Sequence, residues 1–195
     1  MGVKLEIHGS ALQPGPLMIV ANHISWLDIP ALHAVRFCRF VAKADLRRWP
    51  VVGQMADLAG TLFIERESRR DAMRVVHHMA DSLRAGDVLA VFPEGTTGDG
   101  ALVMPFHANL FQAAISADAP VQPLRIEYLD AASGKPSAAP NYVGDEHFLS
   151  SVWRTLGASS VLVRIHLGEP QPVDGRDRRL LAAQLHAAVC GLNCA

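Results

Sequence analysis

The stretch Leu17-Met18-Ile19-Val20-Ala21-Asn22-His23-Ile24-Ser25-Trp26-Leu27-Asp28 decides the fold. Its first five residues are a short β-type run, and a helical pattern through Val35 takes over directly after it. The same alternation extends along the chain. β-type runs recur at Val3 to His8, Phe37 to Ala42, Thr61 to Ile64, Val88 to Phe92, Val121 to Tyr128 and Val161 to Leu167. Helical patterns fill most of the intervals. Residues 71–85 place Met73, Val76, Met79, Ala80 and Leu83 near one face, with Gly86 as the stop. Residues 174–190 open on Asp174 and carry Leu181, Leu185 and Ala188 on one side. Strands alternating with helices predict an α/β fold: a central mixed, largely parallel sheet of about seven strands flanked by helices. The Ala-, Ser-, Pro- and Gly-rich stretch from Asp130 to Gly144 reads as a surface loop, since a strand-and-helix pattern resumes after it, so residues 1–195 are expected to form one domain.

Composition narrows the function classes. Half of the 195 residues are apolar, enough to bury a sizeable core, and 18 Lys+Arg against 19 Asp+Glu leave a formal net charge of −1. No overall field exists to hold a polyanion, so nucleic-acid binding is not expected. Cys38, Cys190 and Cys194 are odd in number and lack C-x-x-C spacing, which argues against a disulfide framework or a zinc site and for a reducing compartment. No apolar run reaches the roughly 18 residues that cross a bilayer, and no signal peptide opens the sequence. Glu6 stands where N-myristoylation needs Ser or Thr.

Two segments carry candidate chemistry. His23 lies at the C-terminal end of a strand, where open α/β sheets place ligands. In a continuous helix, positions five apart diverge by about 140°, so His23 meets Asp28 only if His23 is in the loop and Asp28 in the first helical turn. Ser25 as N-cap permits this, leaving Asp28 at the third helical position. Two tasks for Asp28 then stand side by side: the reciprocal partner in a capping box, or the orienter of a general-base histidine. The second segment is Phe92-Pro93-Glu94-Gly95-Thr96-Thr97-Gly98. It is either an ordinary glycine-rich turn or a cradle whose N–H and hydroxyl groups meet a phosphate. Glu94 itself would repel that phosphate unless a cation pairs with it. Of seven basic residues between Lys43 and Arg74, five neighbouring acids nearly cancel the charge. Lys43 and Arg66 differ, because each follows a strand end as His23 and Glu94 do. His77-His78 reads as surface, and neither a G-x-S-x-G elbow nor an activated cysteine marks a covalent nucleophile.

Four blocks, the H-x-x-x-x-D of His23 to Asp28, Gly60-Thr61-Leu62-Phe63-Ile64-Glu65-Arg66, Phe92-Pro93-Glu94-Gly95-Thr96 and Pro120-Val121-Gln122-Pro123, occur in that order. Together they closely resemble the 1-acylglycerol-3-phosphate acyltransferase family across about residues 3 to 170. The resemblance implies a glycerolipid acyltransferase-like fold and transfer of a fatty acyl group from acyl-CoA or acyl carrier protein to the free hydroxyl of a lysophospholipid. The first acceptor it implies is 1-acyl-glycerol-3-phosphate, giving phosphatidic acid. It casts His23 as general base, Asp28 as its orienter, and Lys43, Arg66, Glu94, Gly95 and Thr96 as the acceptor's headgroup site. It implies no metal and no organic cofactor. It also implies a peripheral enzyme at the inner, cytoplasmic face of the cell membrane, with residues 46–64 (Leu46, Trp49, Val51, Val52, Met55, Leu58) as the expected lipid-docking surface.

Two departures from the family stand out. Its members carry apolar N-terminal helices, whereas 22 residues precede His23 here, and Phe106-His107-Ala108-Asn109-Leu110 replaces a Phe-x-x-Gly element. The Thr-Thr-Gly after Gly95 and the segment Gly144 to Phe148 are also similar to relatives that acylate lyso-ornithine lipids or lysophosphatidylcholine. Readings from other classes are a non-catalytic lipid-binding protein, to which the intact His23, Asp28, Arg66 and Glu94 run counter, and a thioesterase in which His23 activates water.

Overall fold

The computed structural model describes residues 2–49, 52–64, 69–144 and 146–192. Its centre is a strand with no polar face. Leu17–Ala21 (β2) is buried at all five positions, as a strand must be when helices cover both sides of a parallel sheet. Seven strands form one sheet: Val3–Gly9 (β1), β2, Arg39–Lys43 (β3), Leu62–Ile64 (β4), Val88–Val91 (β5), Val121–Asp130 (β6) and Val161–Leu167 (β7), in the spatial order β1-β7-β6-β2-β5-β3-β4. Strands β6, β2, β5, β3 and β4 run parallel, β7 is antiparallel to β6, and β1 is parallel to β7. The predicted α/β architecture with a largely parallel mixed sheet is the one observed.

The alternation within β2 splits the core in two. Leu17, Ile19 and Ala21 pack with Leu27, Ala31 and Leu32 of the first helical region, Asp28–Val35 (α1). On the opposite face Met18 and Val20 pack under Arg69–Arg84 (α3), Gln112–Ala117 (α4) and Arg178–Gly191 (α6), through Met79, Leu83, Ala113, Ala114, Leu181 and Leu185. Two further helices, Val52–Leu58 (α2) and Phe148–Gly157 (α5), and short 3₁₀ turns at Ala44–Arg48 and Ala108–Phe111 complete the chain.

Several expected boundaries move, each for a local reason. The strand read as Phe37 to Ala42 pairs at Arg39–Lys43, and Phe37 stands exposed. In α3 the buried stripe is Val75, Met79, Ala80 and Leu83, while Met73, expected on that face, faces solvent in the first turn. Gly86 does stop this helix: with φ 92° it lets its own N–H reach Leu83 O and that of Asp87 reach Ser82 O, the paired bonds of a Schellman cap. Helix α6 begins at Arg178, not Asp174, because Asp177 supplies the cap by accepting from the N–H groups of Arg179 (2.7 Å) and Leu180 (3.2 Å). Asp174 lies in the preceding turn at φ 41°. The helices α2, α4 and α5 carry no strong sequence signature, and tertiary contact decides them.

Candidate active site

Where β2 ends, β6 runs on, and one side chain bridges the step. Asn22 Nδ2 donates to Ile126 O (3.0 Å) and Asn22 Oδ1 accepts from Ile126 N (2.7 Å), so a side-chain amide continues the ladder that the backbone leaves. The main chain is thereby free to turn at His23, on the rim formed by the C-terminal ends of β2, β5 and β3.

Asp28 meets His23 across that turn. His23 Nδ1 lies 2.7 Å from Asp28 Oδ2, and the same oxygen accepts from the N–H groups of Ile24 (2.8 Å) and Ser25 (3.0 Å). Tyr128, on β6, donates its hydroxyl to Asp28 Oδ1 at 2.6 Å. The carboxylate is fully buried, whereas the imidazole keeps 21% of its side-chain surface exposed. One carboxylate therefore ties down the turn through the Ile24 and Ser25 N–H groups and holds the bearing of the ring. Ser25 does not open the helix as an N-cap: the helix starts at Asp28, and the serine hydroxyl accepts from Leu27 N–H (3.2 Å) while donating to Pro140 O (2.5 Å). The His23 ring lies flat on Phe92, with centroids 4.1 Å apart and planes within 12°, and Phe92 stacks in turn against Phe40. With Nδ1 committed to Asp28 and one face to Phe92, Nε2 is the ring atom left for a substrate.

Glu94 faces inward. Its Oε1 accepts from His23 N–H and its Oε2 from Met104 N–H, both at 2.7 Å, and only 6% of the residue is exposed. Burial pushes its carboxyl up from the ordinary glutamate value, and the two backbone donors oppose that push. Both of its oxygens are thus occupied by the protein's own backbone, so its place in the structure is to fix the histidine and the 101–107 segment. Gly95, at φ 74°, turns the chain after Glu94, and Gly98 N–H donates to His23 O at 2.8 Å. Thr97 donates to Tyr142 O, while Thr96 is exposed. The stretch from Asp130 to Gly144, expected as plain surface loop, is thus a wall of the site through Pro140, Tyr142 and the Tyr142 N–H bond to Ile24 O (3.0 Å).

His23, Asp28, Glu94, Gly95 and Thr96 are brought together at the rim. The Lys43 backbone ends β3, two strands from β2, opposite Ile64. Arg66 lies outside the described residues. Phe106, at the departure from the family pattern, packs edge-on against His186 of α6 (5.0 Å). His77 and His78 are exposed on α3, as expected. Burial pushes the Cys38 thiol up to about 12, which leaves it a thiol at neutral pH. The sequence reading missed Tyr128, Asn22 and Phe92, for which no local signal exists: their partners lie 100, 104 and 69 positions away.

Beside the turn runs an aromatic cluster. Trp26, inside the H-x-x-x-x-D segment, donates to Ser151 Oγ of α5 (3.3 Å), and its ring meets Phe148, which also meets Trp49 (5.5 Å) and Tyr142. On the outer side of α5, Leu149, Trp153 and Leu156 recur at helical spacing and stand 68%, 71% and 54% exposed. Of the expected lipid-docking residues, Trp49, Met55 and Leu58 are exposed and Leu46 is half-buried; Val51 lies outside the described residues. Among the described residues no helix is long and apolar enough to cross a membrane.

The sequence model of the Acyltransferase family matches residues 4–127. A lyso-ornithine lipid O-acyltransferase of Pseudomonas aeruginosa is 42% identical over 95% of this chain and 70% of its own length. A 1-acyl-sn-glycerol-3-phosphate acyltransferase of Neisseria meningitidis is 39% identical over 85% of this chain and 64% of its own. The chain thus spans about two thirds of the length of these relatives. Among solved structures, the 1-acyl-sn-glycerophosphate acyltransferase PlsC of Thermotoga maritima superposes with a TM-score of 0.69 at 22% identity, covering 97% of this chain and 70% of that one, a likeness of fold. A match that runs from β1 into β6 and takes in both motif-bearing turns, joined to 42% identity along nearly the whole sequence, makes this chain a member of the acyltransferase family.

Proposed function

We propose that this chain moves a fatty acyl group from a thioester, acyl-CoA or acyl carrier protein, to the free hydroxyl of a lysolipid, with His23 as general base. The observation that carries the reading is the 2.7 Å contact between His23 Nδ1 and a fully buried Asp28, which leaves Nε2 toward the open side of the ring. An alcohol is a weak nucleophile at neutral pH. Nε2 takes its proton as the oxygen attacks the thioester carbonyl, and the buried carboxylate stabilises the imidazolium that forms. Collapse of the tetrahedral adduct expels the thiolate, which leaves with the proton returned from Nε2. The products are an ester and a free thiol, and the enzyme ends as it began. Proton transfer and positioning carry the scheme without a cofactor.

Lys43, Arg66, Gly95 and Thr96 are the proposed headgroup contacts, with the exposed Thr96 supplying a hydroxyl donor at the Gly95 turn and the two cations neutralising a phosphate. Glu94 supports them from behind, through His23. We assign 1-acyl-glycerol-3-phosphate as acceptor, giving phosphatidic acid. A lyso-ornithine lipid is the second reading, favoured by the higher identity to the Pseudomonas protein. An acceptor panel with a long-chain acyl-CoA, read by thiol release and labelled product, tests both. Highest turnover on the phosphate headgroup supports the first reading, and preference for the amino-acid headgroup replaces it with the second. Thiol release that ignores every acceptor would make the enzyme a thioesterase.

For a lipid substrate we propose peripheral contact with the cytoplasmic membrane face through Trp49, Met55, Leu58 and the outer stripe of α5. Trp49, joined through Phe148 to Trp26 of the catalytic turn, and the other exposed apolar residues would set the site against the lipid that carries its acceptor.

A further inference from the structure

The Asp28 carboxylate receives its donors unequally. Three of them, from His23, Ile24 and Ser25, converge on Oδ2 and come from the same six-residue turn. Oδ1 receives the hydroxyl of Tyr128, 100 positions away on β6. The turn alone therefore anchors one end of the carboxylate, and rotation about the Cβ–Cγ bond is stopped from the sheet.

The sheet is built to hold that phenol in place. Asn22 locks the register of Ile126 against the end of β2 through two hydrogen bonds, and Tyr128 follows two residues later on the same face. Tyr128 is only 4% exposed and packs in the core that holds Ile24, Leu27 and Ile126. Burial, reinforced by the Asp28 charge, pushes its hydroxyl well above the ordinary tyrosine value, so it remains a donor throughout the working pH range.

We infer that Tyr128 is a positioning residue of the transfer reaction, acting through Asp28 to set both the direction of the His23 ring and the strength with which the carboxylate draws on its proton. This rests on the reading of His23 as general base. A phenol donating to Oδ1 withdraws electron density from the carboxylate. Without it, Asp28 attracts the imidazolium proton more strongly, the base is held protonated to higher pH, and the ring loses its fixed bearing. The groups that face the pair from the packed elements are Tyr128 from β6, the Ser25 hydroxyl from the turn, and Glu94 from the end of β5, held to the His23 backbone.

Tyr128→Phe keeps the ring and removes the donor. The expected result is a kcat lower by roughly tenfold, a KM for donor and acceptor unchanged within about twofold, and an acidic limb of the pH–rate profile moved to higher pH. In an Asp28→Asn background the same substitution is expected to cost less than about twofold, because the hydroxyl acts through the carboxylate. A second probe spares the fold. The chain has two tyrosines, so 3-fluorotyrosine incorporated into a Tyr142→Phe protein labels Tyr128 alone. The fluorinated phenol is a stronger donor and is expected to move the acidic limb to lower pH relative to unlabelled Tyr142→Phe. If both probes leave kcat and the limb in place while His23→Ala abolishes transfer, Tyr128 only fills the core and the inference fails. If His23→Ala itself retains transfer, the reading beneath it fails instead.

Discussion

The two sides of the site's rim are built on opposite terms. At the ends of β2 and β5 the proposed base and its supports are tied down: Asp28, Glu94 and the His23 backbone have their hydrogen-bonding atoms committed within the protein, and the imidazole is stacked on Phe92. Farther along, the 3₁₀ turn after β3, helix α2 and the outer side of α5 leave Trp49, Met55, Leu58 and Trp153 in solvent. The two proposed roles account for the contrast. A proton transfer needs one geometry held in advance, while a surface that meets lipids of varied packing gains from apolar area with little fixed shape.

Four variants sharpen or break this comparison. His23→Ala removes the base and is expected to lower kcat by roughly 1,000-fold with the thermal midpoint nearly unchanged, since the ring is partly exposed; single-turnover assay with circular dichroism checks both halves. Retained activity would end the assignment. Glu94→Gln comes next. The amide keeps one acceptor for two backbone N–H groups, so kcat is expected to fall by about tenfold and the His23 turn to loosen, measured by kinetics and by amide exchange at His23 and Met104. If instead only the KM of the acceptor rises, Glu94 touches the headgroup after all.

On the loose side, Leu58→Ser with Trp153→Ser is expected to weaken binding to anionic phospholipid vesicles by about tenfold while the thermal midpoint stays within about 1 °C, because both side chains are exposed. Unchanged vesicle binding would move the docking surface elsewhere. The smallest effect belongs to a cluster remote from the chemistry. Hydrogen bonds from Ser82 and then Arg39 (each 2.6 Å) hold Asp87 below the ordinary aspartate value. A folded-state value lower than the unfolded one stabilises above about pH 3.8 and is lost as pH falls through the folded value. Asp87→Asn is therefore expected to cost about 0.5 kcal/mol near pH 6, after solvent screening of a one-third exposed group, and progressively less as pH falls through the folded value.

What could be read in advance followed distance along the chain. His23 and Asp28 are five positions apart, and the geometry of one turn is enough to require that they meet. The strands β2 and β7 are legible at both ends, β2 because a continuous apolar run is bounded by turn residues and β7 because Val161, Val163, Ile165 and Leu167 alternate along it. By contrast, the helical pattern is expected to open on Asp174 whereas α6 starts after Asp177, since a sequence with Asp at both 174 and 177 does not say which of them the first turn will use. Glu94 is legible in its position and not in its bearing. Its strand-end position is visible in sequence, but the direction of a side chain at the close of a turn depends on what packs beneath it, here the His23 and Met104 backbones.

The sequence by itself determined the α/β alternation, the rim on which His23 and Glu94 sit, and the motif order that ties the chain to its family, because periodicity and turn chemistry act over a few residues. Only the tertiary structure decided that Tyr128 closes the Asp28 carboxylate, that Asn22 continues a backbone ladder, and that the Asp130 to Gly144 stretch walls the site. Those contacts join residues about 45 to 118 positions apart, and such pairs are fixed by the order in which strands assemble rather than by any local preference of the residues that meet.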